Sequence, residues 1–149
     1  MMYRLDRELD VPRAVTLVHD DELRSELGPD EIEMYDELVV QDRTTLEVMR
    51  SQLAPAARLA DGQFVEQLLT GESASFSFNP DALSAPVSGP SLFVLGRQDS
   101  VVGYRDAHSI LENYPRATFA LLDRAGHLAA YDQPVLVAAL VNEWLDRLE

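Results

Sequence analysis

Cysteine is absent from the 149 residues, which excludes disulfides, thiolate metal sites and a Cys nucleophile. Lysine is absent too: all 12 basic residues are Arg, against 26 acidic ones, for a net charge of −14. The missing Lys points to genomic base composition rather than to function. A chain this acidic repels phosphate backbones, so nucleic acid is excluded as a natural partner. Long apolar runs are also lacking, and the stretch from Met1 to Asp10 is rich in charge. Neither a membrane span nor a secretory signal is expected, and a cytoplasmic location follows as the expectation. What is present is ordinary globular composition, 46% apolar and 26% charged, in about one domain's length.

Charge divides the chain. Residues 1–85 hold 18 acids and 7 arginines, residues 86–149 only 8 and 5. The acidic part reads as helical, with its acids on solvated faces. Ala14-Val-Thr-Leu-Val18 is short and β-branched and is expected to form one strand. Asp20 then serves as an N-cap, with Leu23 and Leu27 on one face and Gly28-Pro29 as a stop. Ile32, Tyr35, Leu38 and Val39 recur at helical spacing, with Asp30 and Glu31 suited to the N-terminal dipole. Leu46, Met49, Arg50 and Leu53 continue the pattern until Pro55. A last helix is expected from Asp61 to Leu69, burying Phe64, Val65, Leu68 and Leu69, with Gly71 after its end. Residues 72–90 are dense in turn formers, and the boundary between parts is placed near Asn79 to Gly89.

The second part reads as strand, helix, strand, helix. Ser91-Leu-Phe-Val-Leu-Gly96 and Ala117-Thr-Phe-Ala-Leu-Leu122 are continuous apolar runs, the pattern of strands buried on both faces. Between them Ala107, Ile110, Leu111 and Tyr114 have helical spacing, ended by Pro115. Pro134 opens a final helix lined by Val137, Leu140, Val141, Trp144, Leu145 and Leu148. A crossover of this length implies a parallel pair with a right-handed connection, so both strands end on one edge of the sheet.

That topology selects Asp99 and His127. Asp99 lies three positions past Gly96 and His127 five past Leu122, each just beyond a strand's carboxyl end, where ligands gather in open α/β sheets. Neighbouring parallel strands run about 5 Å apart, so the two loops can bring the acid and the imidazole together. An aspartate on one ring nitrogen fixes the tautomer and leaves the other free to accept a proton. Gly96, Gly103 and Gly126 permit the turns such loops need.

Three segments, Gly96-Arg-Gln-Asp-Ser-Val-Val-Gly-Tyr104, Tyr114-Pro-Arg-Ala-Thr-Phe119 and Asp123-Arg-Ala-Gly-His-Leu128, together resemble the C-terminal end of an α/β hydrolase. The resemblance is strong over residues 90–149 and weaker over 14–85, which look like the family's cap. It implies Asp99 as triad acid and His127 as triad base, hydrolysis of a small-molecule substrate through a covalent intermediate, and no cofactor or metal. The fold class expected is α/β: a helical cap segment (1–85), then the last βαβα of a hydrolase sheet (86–149). Asp132 stands where many relatives carry Glu.

The family's Gly-x-Ser-x-Gly nucleophile turn, its oxyanion loop and its earlier strands have no counterpart in the sequence. Gly71-Glu-Ser-Ala-Ser75 approaches that motif, but a helix precedes Ser73 and Phe76-Ser-Phe-Asn-Pro80 follows it, so Ser73 reads as loop. His19-Asp20-Asp21 lacks a third metal ligand and reads as a strand end and N-cap; His108 reads as surface. The expectation is a hydrolase-family segment inactive by itself, the alternative a non-catalytic remnant or interaction module. With no sixth strand, the Ser91–Gly96 edge is expected to drive homo-oligomerisation, or to need an N-terminal half as a separate chain.

Overall fold

The computed structural model describes residues 10–70 and 83–148. Ser73, Gly71 and most of the turn-rich stretch after them lie outside the described residues. Helices α1 (Asp21–Arg24), α2 (Pro29–Asp36), α3 (Arg43–Val48), α4 (Ala54–Leu59) and α5 (Gly62–Thr70) come first. Strand β1 (Ser91–Gly96), a 3-10 helix (Arg105–Asn113), strand β2 (Ala117–Leu122), α6 (Ala129–Asp132) and α7 (Pro134–Asp146) follow. Among the described residues no helix is long and apolar enough to cross a membrane.

Side-chain caps start the first helices. Asp20 accepts from the N–H groups of Glu22 and Leu23, and Asp42 from that of Thr45. Glu31 accepts from the Gly28 N–H at 2.9 Å and pairs with Arg50 at 2.8 Å. Arg50 first, then Gly28, draw its carboxyl down to about 2. These short helices bury Leu23, Tyr35, Leu38, Leu46 and Met49, and Leu128 and Tyr131 pack on the same cluster. The helical segment therefore rests on the stretch that follows β2. Each such buried side chain contributes about 1.5–3 kcal/mol relative to exposure.

Several local expectations are corrected. Residues 14–18 form no strand; only Val18 makes an isolated parallel bridge, to Val40, while Val15 and Leu17 are exposed. Pro55 does not end its helix. The chain widens to a π turn over Met49–Leu53, where the Ala54 N–H reaches the Met49 carbonyl, and α4 continues beyond. That register change accommodates a residue without an N–H. Phe64, Val65 and Leu68 on α5 are exposed, since no described element covers that face. Leu145 of α7 and Leu148 just beyond its end are exposed as well, and the crossover is a 3-10 helix rather than an α-helix.

The order of strand, crossover and strand and the parallel pairing stand as read, but the strands are not buried on both faces as expected. β1 and β2 pair in parallel, Ser91 opposite Ala117 through Gly96 opposite Leu122. Phe93 stacks on its register partner Phe119 at 4.3 Å, and Tyr114 meets Phe93 edge-on at 4.9 Å. At the strands' amino ends, α7 anchors the sheet: Trp144 Nε1 donates to the Pro90 carbonyl, and Arg147 donates to Ser91 O and Thr118 Oγ1. Both strands are only half-buried, because the described sheet has two strands in all. Their carboxyl ends are left open for the loops that carry Asp99 and His127.

Candidate active site

Past Gly96 the ladder runs on for two residues: the Arg97 N–H donates to Leu122 O and the Gln98 N–H to Ala125 O, both at 2.9 Å. The two loops touch here because Gly96 has no side chain. A Cβ at that position would press on the Gly126 carbonyl oxygen and lie 2.5 Å from that of Ala125. The Gln98 side chain adds two more ties, donating to Asp123 Oδ1 at 2.9 Å and accepting from the Ala125 N–H at 3.2 Å. The first of these, with the Arg124 N–H, holds the Asp123 carboxyl below its usual range. Gln133 donates to the carbonyls of Asp123 and Arg124, the latter a non-glycine residue at φ 54°. Three consecutive residues after β2, Asp123 to Ala125, are thus held by Gln98 on one side and Gln133 on the other.

On this frame Asp99 and His127 meet. Asp99 is 6% exposed. Its Oδ1 accepts from the N–H groups of Val101 and Val102 at 2.9 and 3.0 Å, which leaves Oδ2 for His127 Nδ1 at 3.3 Å. A carboxylate only accepts, so Nδ1 carries the proton and Nε2 keeps its lone pair. The imidazole is 40% exposed, open enough to reach a reacting group. It borders two cavities. One, of about 170 Å³, lies toward the helical segment and is lined by Val15, Asp36, Val39, Ser100 and Val101. The other, of about 160 Å³, opens over the carboxyl end of β1 against Val94, Gly96, Val102 and Ala129.

The sequence reading named a third acid but assigned it no role. Asp132, also 6% exposed, accepts from the N–H groups of Val39 and Val40 on Oδ1, both at 3.0 Å, and from that of Gly126 on Oδ2 at 2.8 Å. Burial pushes its carboxyl up, and the three N–H donors pull the other way. The signals available were its place five residues after His127 in an otherwise apolar run and the acid that the resembled family carries at that place.

The remaining candidates lie elsewhere. His19 Nδ1 lies 2.8 Å from Gln41 Oε1 and its Nε2 2.8 Å from Asp21 Oδ1, and Asp20 is a helix cap. His108 is exposed and lies edge-on to Tyr104. Among the described residues no cluster of three or more His, Asp or Glu side chains is arranged to hold a metal ion.

The crystal structure of an α/β superfamily hydrolase from Oenococcus oeni PSU-1 superposes on this chain with a TM-score of 0.79 over 95% of its residues, at 20% sequence identity. In part, the fold is that of an α/β hydrolase. The chain spans about half of that neighbour, 52% of its length. No protein-family model matches the sequence, and no curated protein is significantly similar to it.

Proposed function

We propose that Asp99 and His127 are the acid and the base of a hydrolase site whose nucleophile is supplied from outside these 149 residues. One observation carries the reading: the His127 Nδ1 to Asp99 Oδ2 contact of 3.3 Å, at the carboxyl edge of a parallel pair, with Asp99 fixed by two backbone N–H groups. In this role His127 Nε2 takes the proton of a hydroxyl nucleophile as it attacks an acyl carbon, then returns it to the leaving group. Asp99 holds the tautomer and stabilises the imidazolium between those steps. The substrate is a small acyl compound, such as an ester, seated in the cavity between His127 and the helical segment. The edge of β1, unpaired among the described residues, is where the part bearing the nucleophile joins the sheet, whether as further sequence or as a separate chain.

A second reading has its own support. The exposed apolar row Phe64, Val65 and Leu68 and the free β1 edge also suit an interaction module that kept the scaffold without the chemistry.

Turnover of 4-nitrophenyl acetate separates the two. The 149-residue chain alone is expected at background. Expressed with the in-frame codons upstream of it, a hydrolase should turn over the ester and lose roughly a thousandfold or more in His127→Ala. Turnover indifferent to both His127→Ala and Asp99→Ala would rule out the pair's role.

A further inference from the structure

We propose that Asp132 is a positioning residue for His127, one carboxylate that ties the strap Val39–Val40 of the helical segment to the backbone just before the imidazole. The inference rests on the reading of His127 as the base, and adds what holds that base against the cavity wall.

The geometry is specific to a carboxylate. Three backbone N–H groups converge on Asp132, two on Oδ1 and one on Oδ2, from positions 39, 40 and 126. An ionised carboxyl accepts at both oxygens, whereas an amide in its place would turn an NH₂ toward at least one of these donors. The group is nearly closed to water, so the bonds face little competition from solvent and leave no N–H unmet. The strap and the loop also touch directly: a Cβ on Gly126 would come within 2.8 Å of Val39 Cγ2. Val39 and His127 are walls of one cavity. Asp132 therefore sets the spacing between a wall of the pocket and the residue that must act in it. Releasing Oδ2 frees Gly126 to move, and with it the long Asp99–His127 contact, while releasing Oδ1 detaches the strap from that loop.

Nitrogen-resolved NMR of the three histidines tests this, with His19 and His108 as internal references. In the wild type, neutral His127 should carry its proton on Nδ1. In Asp132→Asn that preference should be lost while the His19 pattern is kept, and amide exchange at Val39, Val40 and Gly126 should rise together by roughly 10- to 100-fold. A wild-type His127 protonated on Nε2 would overturn the acid–base reading, and the positioning role with it, before any variant is made. A folded Asp132→Asn with faster exchange but an unchanged His127 tautomer would leave Asp132 a structural tie only and overturn the proposal alone. If Asp132→Asn does not fold, the wild type decides. On acidification the amide shifts of Val39, Val40 and Gly126 should move with one midpoint, above the usual Asp range, and His127 should be disturbed at that same midpoint; separate midpoints would overturn the proposal.

Discussion

Replacing Gly96 with Ala is the sharpest perturbation of the site, because it adds one methyl where only backbone stands in the way. Gly96 does not occupy the left-handed region, so Ala meets no conformational penalty there. In isolation the change would reduce the freedom of the unfolded chain and stabilise by about 0.4–1 kcal/mol. The steric cost outweighs that gain. The added Cβ would lie 2.5 Å from the Ala125 oxygen and 2.8 Å from the Ala125 carbonyl carbon, against 3.4 Å for ordinary contact. Residues 125–126 must therefore retreat by about 1 Å. Three bonds hold them in place: Gln98 N–H to Ala125 O at 2.9 Å, Ala125 N–H to Gln98 Oε1 at 3.2 Å, and Gly126 N–H to Asp132 at 2.8 Å. A retreat of that size takes all three out of range. At about 1 kcal/mol each, they cost about 3 kcal/mol, and the net loss is about 2–3 kcal/mol. Urea unfolding reads this as a midpoint lowered by about 1 M with an unchanged slope, taking a slope near 2 kcal/mol/M. The Asp99–His127 contact, already long at 3.3 Å, should open as well. A Gly96→Ala protein with an unshifted midpoint and an intact Nδ1–H signature would refute the argument that close approach of the two loops assembles the pair.

Two further perturbations report on the helical segment. The Tyr35 side chain packs with Leu23, Leu38, Leu46 and Met49 and its buried hydroxyl has no hydrogen-bond partner among the described residues, so Tyr35→Phe should stabilise by about 1 kcal/mol, a rise of roughly 2–4 °C in Tm; a fall of similar size in calorimetry would mean the hydroxyl has a partner. His19 is held between the acceptors Gln41 Oε1 and Asp21, which raise its pKa above 6.5, Gln41 contributing most. The folded value exceeds the unfolded one, so this stabilisation is complete below pH 6.5 and is lost as pH climbs past it. The urea midpoint of wild type should decline over that range and that of His19→Gln should not; parallel profiles would dismiss the His19 bridge.

The strands were legible because their signal is redundant. In β1 and β2 every residue from Ser91 to Leu95 and from Ala117 to Leu121 suits a parallel strand, read as buried on both faces and found half-buried, and the crossover length permits one topology. Asp99 and His127 followed from that topology, since strand ends fix where loop residues can go. Residues 14–18 have the same composition, yet form only one bridge. A strand needs a neighbour along its length, and local sequence does not record that only Val40 is on offer. Pro55 misled for the opposite reason: the breaker rule is local, but a π turn one residue upstream removed the clash the rule presumes. The apolar stripe on α5 announced a buried face, and the described fold brings nothing to cover it.

Asp132 was illegible on different grounds. Its partners are backbone N–H groups, two of them more than ninety residues away, and any residue but proline supplies such a donor. No residue type at 39, 40 or 126 could have signalled it. The same holds for Gln98, whose grip on Asp123 and Ala125 is set by the approach of two loops rather than by a motif. The parallel sheet explains why an acid and an imidazole share an edge. It does not explain why the imidazole stays put in a loop with a residue at φ 54° and its ring 40% exposed. That is achieved from two directions, by Gln98 from the β1 loop and by Asp132 from α6, itself tied to the helical segment, and the two grips meet on adjacent residues, Ala125 and Gly126. Contacts that share a rigid stretch of backbone do not act independently. Once either grip is released the loop is free to drift, and the other then restrains less than it does in the intact chain.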